Sequence, residues 1–208
     1  MTTTVHHLAN SRSQRILWLL EELQLPYAVK RYERDPVTNL APPELKSIHP
    51  LGKAPLLQDG EATLAETAVI IEHLVNRAGR LGRPAAPEAA SRYDYFMHYA
   101  EGSLIPPLYA LLVLGRMGET GQAAAEGVRS VFAGHLAWLD EEIGSRPWFS
   151  GDEFTAADVM MSFPMEAARQ RCGLDASYVN LNGWLARIHA RPAYRRALTA
   201  GGPYALAA

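Results

Sequence analysis

The chain has 208 residues, of which 48% are hydrophobic and 20% charged, and these values are ordinary for a soluble globular protein. The formal net charge of −2 gives no electrostatic reason to expect a nucleic acid or an anionic membrane surface as a partner. The single cysteine, Cys172, excludes an internal disulfide and any C-x-x-C redox or zinc pair.

Three features of the sequence favour a soluble, cytoplasmic protein without a metal centre. Residues 1–10 lack the basic and then apolar pattern of a secretory signal. No apolar run approaches the roughly 18 residues that a membrane-spanning helix needs. The seven histidines show neither H-x-x-x-H nor H-E-x-x-H spacing, so we expect no metal site.

The first quarter of the chain predicts alternating strands and helices. Residues 2–8 and 27–32 are rich in strand formers, and residues 14–23 between them predict a helix. The centre of this helix is apolar on nearly every side, which indicates that it is buried between a sheet and a second element. Because strand, helix and strand follow one another so closely, we expect a parallel pair with a right-handed crossover. A short helical piece is expected over residues 44–48.

A hairpin and a helix complete this first part of the chain. A strand begins at Pro55, and Asp59-Gly60 with apolar residues on both sides predicts a two-residue hairpin turn. A helix is predicted over residues 67–77. The resulting order, β-α-β-(α)-β-β-α, resembles a thioredoxin-like fold over residues 1–78.

The rest of the chain predicts an all-helical domain. Residues 79–85 have the glycine and proline content of a linker, and almost no strand signal follows it. We expect residues 118–127, which are rich in glycine and alanine, to form a loop that leads into a helix. The helical domain is therefore assigned to residues 86–208, with helices over 89–104, 107–117, 123–143, 156–172, 181–190 and 192–200.

The stretch from Ile48 to Leu74, I-H-P-L-G-K-A-P-L-L-Q-D-G-E-A-T-L-A-E-T-A-V-I-I-E-H-L, is the most informative part of the chain. A proline at a strand start marks an edge, a bulge or a cis bond. The helix start that follows offers free N–H groups and a positive dipole end to an anion. This arrangement resembles the glutathione site of the cytosolic glutathione transferases, in particular their serine-type bacterial and fungal members. The two-domain layout matches that family over essentially the whole chain.

The resemblance implies that Ser11 activates the glutathione thiol. In serine-type members a serine lies four residues before an Arg-x-aliphatic sequence, and Ser11 stands four residues before such a sequence at Arg15. A serine hydroxyl can donate one hydrogen bond to a thiolate. Lowering the thiol pKa by about two units requires roughly 2.7 kcal/mol of preference for the anion. Ser13 or Asn10 in that role, or serines that only cap the helix, are the alternatives.

The resemblance also implies five glutathione-binding residues. Ala54, before Pro55, would pair its backbone with the cysteinyl backbone of glutathione, as in strand addition. Glu66 would pair with the γ-glutamyl ammonium, and Thr67 at the helix start with its carboxylate. Lys53 would reach the glycyl carboxylate. The alternatives are an edge-strand proline, a helix cap at Glu66-Thr67 and a solvated lysine.

Two further residue pairs are singled out in the helical domain. The resemblance places Tyr99 and Ser103, one turn apart, in the electrophile pocket, although the aromatic residues of this helix are also candidates for core or dimer contacts. Thr155 and Asp158 have the spacing of a capping box, in which each side chain bonds the other residue's N–H. We assign this second pair to folding, not to catalysis.

The function implied by the resemblance is conjugation of glutathione to hydrophobic electrophiles, with glutathione as a co-substrate and no permanently bound cofactor. Peroxide reduction and isomerisation would use the same activated thiol. The competing interpretation is a non-catalytic relative that serves as a binding or assembly module. We also expect a homodimer of C2 symmetry, because the helices over 67–77 and 89–104 carry more apolar side chains than one inner face can bury.

Overall fold

The computed structural model describes residues 3–207, and the chain divides into two compact units. The first unit contains the residues up to Gly82 together with those from His189 onward, and the second contains Arg83–Ile188. The boundary at Gly82 falls inside the predicted linker. The C-terminal segment, which the sequence analysis assigned to the helical domain, packs within the first unit instead.

The first unit contains a four-stranded mixed sheet. Its strands lie in the order β2-β1-β3-β4, with β1 and β2 parallel and the other pairs antiparallel. The predicted parallel βαβ unit and the thioredoxin-like fold are confirmed. A 3₁₀ turn at Pro43–Ser47 takes the place of the short helix expected over 44–48. The elements are β1 Thr3–Leu8, α1 Ser13–Leu23, β2 Tyr27–Tyr32, β3 Leu56–Asp59, β4 Ala62–Leu64 and α2 Thr67–Ala78.

Helix α1 is buried on nearly all sides because a C-terminal helix, α8 (Pro192–Gly201), covers it. Trp18 meets Tyr194 of α8 edge to face, with ring centroids 5.3 Å apart. Glu22 accepts two hydrogen bonds from Arg191, at 2.5 and 2.9 Å. The apolar residues around α1 predicted its burial, but only the tertiary contacts identify α8 as its cover.

The hairpin turn lies one residue later than predicted. Asp59 pairs with Ala62 and is the last residue of β3, so that Gly60 and Glu61 form the turn. Gly60 has φ +62°, a left-handed conformation that glycine adopts without a steric penalty. Asp59 is therefore a strand residue, and its carboxylate bonds Thr3, His73 and Arg77 in the same unit.

The second unit is helical, and its α5 begins earlier than predicted. Residues 118–127 were expected to form a loop, but α5 begins directly after Gly118, which has φ +60°. Gly121 lies so close to the Leu114 carbonyl that a Cβ there would stand 2.3 Å from its oxygen. Gly121 therefore permits this close approach of the two chain segments, and it lies within α5 without interrupting the helix. The helices are α3 Pro87–Tyr99, α4 Ile105–Arg116, α5 Glu119–Gly144, α6 Ala156–Arg171 and α7 Val179–His189.

One π-helical turn, Ala100–Leu104, joins α3 to α4. Pro106 and Pro107 lack N–H groups and cannot continue the regular hydrogen bonds, and Ile105 N–H bonds the Ala100 carbonyl five residues back. None of the helices within residues 3–207 is long and apolar enough to cross a membrane.

Candidate functional site

The sheet topology brings three of the predicted site segments to one end of the first unit. Ser11 follows the end of β1, and Pro55 precedes the start of β3, which runs antiparallel to β1 with His6 opposite Leu56. Glu66 follows the end of β4, whose Leu64 lies opposite Leu57. Beneath this end, Leu8 and Leu56 share a buried cluster with Tyr32 and Leu45, against which Ala54 and Ala65 pack.

Ser11 is nearly buried and hydrogen-bonded at the start of α1. Its Oγ accepts the Ser13 N–H at 3.2 Å and lies 2.7 Å from Ser13 Oγ. The Ser13 hydroxyl does not cap the helix, because it contacts His7 Nδ1 at 2.9 Å and accepts the Leu8 N–H at 3.1 Å. The Asn10 side chain accepts the Ala205 N–H at 2.7 Å. Each of the three candidates for contact with the thiol, Ser11, Ser13 and Asn10, therefore already has a hydrogen-bond partner within the protein.

The Ala54-Pro55 bond is cis, and it lies just outside the paired part of the sheet. Strand β3 begins at Leu56 and pairs on both sides, so Pro55 does not lie on an edge strand. The register with β4 starts at Leu57, which leaves Ala54 beyond the end of that neighbour. Ala54 is half-buried and Lys53, before it, is exposed.

Glu66 and Thr67 stand at the N-terminus of α2. Glu66 is exposed and has φ +66°, a conformation that costs a non-glycine residue about 1–3 kcal/mol and is concentrated at functional sites. Thr67 is buried and is the first residue of the helix, where backbone N–H groups lack helical partners. Arg15, fully buried in α1, donates to Thr67 Oγ1 at 3.4 Å. This end of α2 thus combines a positive helix end with an exposed carboxylate.

The predicted electrophile-pocket residues lie at the π-helical turn of the second unit. Tyr99, at the end of α3, is hydrogen-bonded through its hydroxyl to His135 Nδ1 at 2.5 Å. Burial, assisted by Tyr95, raises the pKa of Tyr99, so its hydroxyl keeps its proton at neutral pH. Ser103 lies within the turn and is half-buried. Single π turns of this kind are frequent at functional sites.

The second unit also contains a cavity of about 530 Å³ between α3 and α5. Tyr95 and Trp138 of its lining pack edge to face, and Tyr95 stacks on Tyr99 with ring centroids 5.2 Å apart. Arg92 and Glu142 form an ion pair at its polar side. The cavity is lined by Glu88, Ser91, Arg92, Tyr95, Phe96, Trp138 and Glu142.

The capping box at the start of α6 is present. Thr155 N–H donates to Asp158 Oδ2 at 3.1 Å, and Thr155 Oγ1 accepts the Ala157 N–H at 3.3 Å. Asp158 Oδ1 also accepts from Phe149 N–H and Trp184 Nε1–H, both at 3.1 Å. Complete burial raises the pKa of Asp158 to about 6, against the lowering effect of these hydrogen bonds. Every contact of this carboxylate joins segments of its own unit.

Three residues contact the predicted site residues although no such contact was predicted for them. His7 bonds Ser13, Arg15 bonds Thr67, and His135 bonds Tyr99. An arginine inside the apolar helix α1 was a signal that could have been used, because a buried charge requires a partner. The contacts of the two histidines depend on tertiary structure alone. Within residues 3–207 no group of three His, Cys, Asp or Glu side chains is placed to hold a metal ion.

Comparison with known proteins assigns the family. The model of the glutathione S-transferase N-terminal domain matches residues 1–76, and that of the C-terminal domain matches residues 122–187. Glutathione S-transferase 3 of Schizosaccharomyces pombe is 36% identical over 206 residues, covering 92% of this chain and 84% of its own. Glutathione S-transferase 1 of Saccharomyces cerevisiae is 31% identical and covers 91% of each chain.

Solved structures agree with these matches. A glutathione S-transferase from Actinobacillus pleuropneumoniae superposes with a TM-score of 0.88 at 35% identity, covering 99% of this chain and 95% of its own. A glutathione transferase homologue from Sulfitobacter, solved with bound glutathione, shares the fold at 21% identity with a TM-score of 0.81, covering 96% of this chain and 98% of its own. The fold and the cis-proline site define a thioredoxin-like protein with an added helical domain. The chain belongs to the glutathione S-transferase family.

Proposed function

We propose that the protein binds glutathione in its first unit, stabilises the thiolate with Ser11, and joins the sulfur to an electrophilic carbon of a hydrophobic substrate. The observation that carries this proposal is the convergence of Ser11, the cis Ala54-Pro55 bond and the N-terminus of α2 at one end of the sheet. Family membership supports the same conclusion.

The γ-glutamyl group of glutathione is the part that we expect to bind at the N-terminus of α2. Its carboxylate is placed at the Thr67 hydroxyl and N–H, where the helix dipole favours an anion. Its ammonium is placed at the exposed carboxylate of Glu66. The positive φ of Glu66 changes the direction of the chain immediately before the helix. Arg15, buried behind Thr67, adds positive charge on the carboxylate side.

The remaining parts of glutathione extend toward Ser11 and Lys53. The cysteinyl backbone pairs with Ala54, whose backbone lies beyond the end of β4 and has no strand neighbour on that side. This pairing directs the thiol toward the end of β1, where Ser11 lies. The ammonium of Lys53, which is exposed, pairs with the glycyl carboxylate in this proposal.

Ser11 lowers the pKa of the glutathione thiol by donating a hydrogen bond that is stronger to the thiolate than to the thiol. One charge-assisted hydrogen bond contributes about 1.5–3 kcal/mol, or roughly 1–2 pKa units. The thiolate then attacks the electrophilic carbon and forms an S–C bond, while the electron pair of the bond broken at that carbon leaves with the leaving group. Tyr99 and Ser103 are the residues that we propose to contact the hydrophobic substrate. Peroxide reduction and isomerisation are further reactions of the same thiolate.

Two properties of the whole protein complete the proposal. It is a cytoplasmic enzyme, since glutathione is kept reduced in that compartment. It forms a homodimer in which the α/β part of one subunit packs on the helical part of the other. Val69 on α2 and Tyr95 on α3, each 48% exposed, support an interface on these helices.

Retention on immobilised glutathione, with release by free glutathione, tests binding, and conjugation of an activated aromatic electrophile tests transfer. The matched site variant is Thr67→Val, which removes the hydroxyl proposed to bind the carboxylate but keeps the shape of the side chain. We expect retention and turnover for the natural protein and weaker retention for Thr67→Val. Failure to bind glutathione would refute the proposal, and retention without turnover of any electrophile would favour the non-catalytic binding module.

A further inference from the structure

A chain of three buried polar side chains leads inward from Ser11. Ser11 Oγ lies 2.7 Å from Ser13 Oγ, which lies 2.9 Å from Nδ1 of His7. Ser11, Ser13 and His7 are 6%, 0% and 2% exposed. On its far side Nε2 of His7 faces Gly201 of α8. The chain therefore links Ser11 to the interior of the first unit.

The hydroxyl of Ser13 limits this chain to two arrangements. A serine hydroxyl has one hydrogen to donate and two lone pairs to accept. The Leu8 N–H fills one lone pair at 3.1 Å, and the Leu8 carbonyl, at 3.3 Å, is too distant to compete strongly for the hydrogen. One hydrogen and one lone pair then remain for Ser11 and His7. Either Ser11 donates to Ser13 and Ser13 to His7, the inward arrangement, or both bonds are reversed, the outward arrangement.

The surroundings of His7 select the inward arrangement in the free protein. Burial, reinforced by the positive charge of Arg31 opposite it in β2, lowers the pKa of His7 to about 4. The groups around His7 include the Ser13 hydroxyl of α1, Arg31 of β2 and the Gly201 backbone of α8, and of these three Arg31 is the charged one. Nδ1 contacts Ser13 and Nε2 faces Gly201 of α8, so we assign the ring hydrogen of the neutral imidazole to Nε2. Nδ1 is then an acceptor for Ser13.

We propose that His7 is a positioning residue for the glutathione thiol, acting through Ser13 on the hydrogen of Ser11. This inference rests on the proposed function, because it requires the sulfur to lie at Ser11. A thiolate takes the Ser11 hydrogen away from Ser13 and leaves a buried lone pair without a donor. The chain is satisfied again only if Ser13 donates to Ser11 and His7 donates to Ser13 from Nδ1.

The reversal gives the thiol proton a route through buried groups. The sulfur proton passes to the Ser11 oxygen, the former Ser11 hydrogen to Ser13, and the former Ser13 hydrogen to Nδ1 of His7. Both hydroxyls are restored, the S–H bond is broken, and an N–H bond forms on the imidazole. Thiolate at Ser11 and a proton on Nδ1 therefore favour each other, and by linkage the effect is reciprocal. The low pKa of His7 in the free protein keeps Nδ1 unprotonated, and the negative charge of the thiolate must offset the burial and the Arg31 charge that lower this pKa.

Nuclear magnetic resonance of the ¹⁵N-labelled His7 ring tests the linkage without a mutation at the site. We compare the protein saturated with glutathione and with S-methylglutathione, which fills the site but cannot form a thiolate. The His7 signal is assigned by its loss in His7→Asn. We expect Nδ1 to gain a hydrogen, and the pKa of His7 to rise, only with glutathione. Identical His7 spectra in both complexes, with thiolate absorbance present in the first, would overturn the inference.

Variants separate this inference from the proposed function. His7→Leu removes both ring nitrogens and should lower the thiolate fraction of bound glutathione at neutral pH about tenfold. His7→Asn, whose amide can accept or donate near the Nδ1 position, should restore most of it, which a merely structural role would not predict. In a Ser11→Ala background, His7→Leu should cause no further loss.

The outcomes of this series are distinct. If Ser11→Ala leaves the thiolate fraction unchanged, the proposed role of Ser11 fails. If Ser11→Ala lowers it and folded His7→Leu does not, only the role of His7 fails. If the His7 variants do not fold, the comparison of the two glutathione complexes in the natural protein decides.

Discussion

At the scale of single residues, Ser11 is distinguished from its neighbours by what its hydroxyl can still do. Asn10 is bonded to the C-terminal segment and Ser13 to His7 and Leu8, whereas Ser11 stands at the outer end of the chain of hydroxyls. Its oxygen is held in place by the Ser13 N–H, and only its hydrogen must turn from Ser13 toward the sulfur when the thiolate forms. The proposed thiol activation therefore depends on one oriented O–H group.

Ser11→Ala should slow thiol transfer far more than it weakens glutathione binding. One lost donor to the thiolate corresponds to about 2–3 kcal/mol, or roughly 10²-fold in rate. Thiolate absorbance during a pH titration of the bound complex measures the expected rise of the thiol pKa. Ser47→Ala, at an exposed serine outside the site, is the matched control. An unchanged thiol pKa in Ser11→Ala would transfer the role to Ser13, Asn10 or the backbone.

At the scale of elements, the site is held by polar contacts that fix its strands and helices. Asp59, the last residue of β3, accepts from Thr3 of β1 at 2.8 Å and from His73 and Arg77 of α2 at 2.8 and 2.7 Å. These bonds tie α2 to the sheet at the end opposite the site. The capping box performs a similar role in the second unit, where Asp158 joins α6 to α7 and to the segment before it.

Asp59→Asn should destabilise the protein at neutral pH but not in strong acid. The hydrogen bond from His73, with those from Thr3 and Arg77, lowers the pKa of Asp59 to about 2. Because the folded-state pKa lies below the unfolded value near 3.8, the contribution is complete above about pH 4 and is lost as the pH falls through 2. The side chains of His73 and Arg77 are 35% and 34% exposed, so water weakens their interaction with Asp59. We therefore expect Asp59→Asn to lower the free energy of unfolding by about 1 kcal/mol at neutral pH.

Denaturant unfolding of the natural protein and of Asp59→Asn at pH 7, 4 and 2.5 measures this difference. Asp152→Asn, at an exposed position, controls for the change of net charge. A difference in free energy of unfolding that stayed constant over this range would show that the Asp59 carboxylate contributes no stabilisation through its charge.

The two capping-box variants should differ in their cost. Thr155→Ala should lower the free energy of unfolding by about 1 kcal/mol, the usual value for a lost N-cap. Asp158→Ala should cost about 3 kcal/mol, because it leaves the buried donors of Thr155, Phe149 and Trp184 without an acceptor. Thermal unfolding and calorimetric titration with glutathione measure stability and affinity. A fully stable Asp158→Ala protein without activity would identify the carboxylate as a catalytic acid.

At the scale of the whole molecule, the proposed homodimer places the site beside an interface. Val69 follows Thr67 by two positions on α2 and leaves half of its side chain exposed. Isologous pairing is the commonest way for a soluble protein to cover such surfaces. Assembly would then shape the pocket that holds the γ-glutamyl group.

Activity per subunit should fall when the protein is diluted below the dissociation constant of the dimer. Val69→Glu should raise that constant by introducing a charge that must be desolvated. Val179→Glu, at an exposed valine on α7, is the matched control and should leave assembly unchanged. Light scattering and activity are measured on the same dilution series. A particle of monomer mass with full activity would contradict the prediction.

The sequence by itself determined the elements and their order. The bounds of β2 agree with the prediction, and those of α1 and α2 agree to within a residue, because apolar periodicity and turn residues act over a few neighbouring positions. The start of α5 was missed because one of the glycines that suggested a loop, Gly121, instead permits close packing against Leu114 at the end of α4. The segments of the candidate site were identified through spaced motifs around Ser11, Pro55 and Glu66.

The tertiary structure alone decided which residues support those segments. Helix α8 packs on α1, and His7 contacts Ser13. In both cases the local sequence around one partner does not predict the other partner. Apolar burial is non-directional, so the sequence reveals that α1 needs a cover but not which helix provides it. A hydrogen bond depends on atoms placed within a few tenths of an ångström, and that placement arises only when the sheet, α1 and α8 pack together.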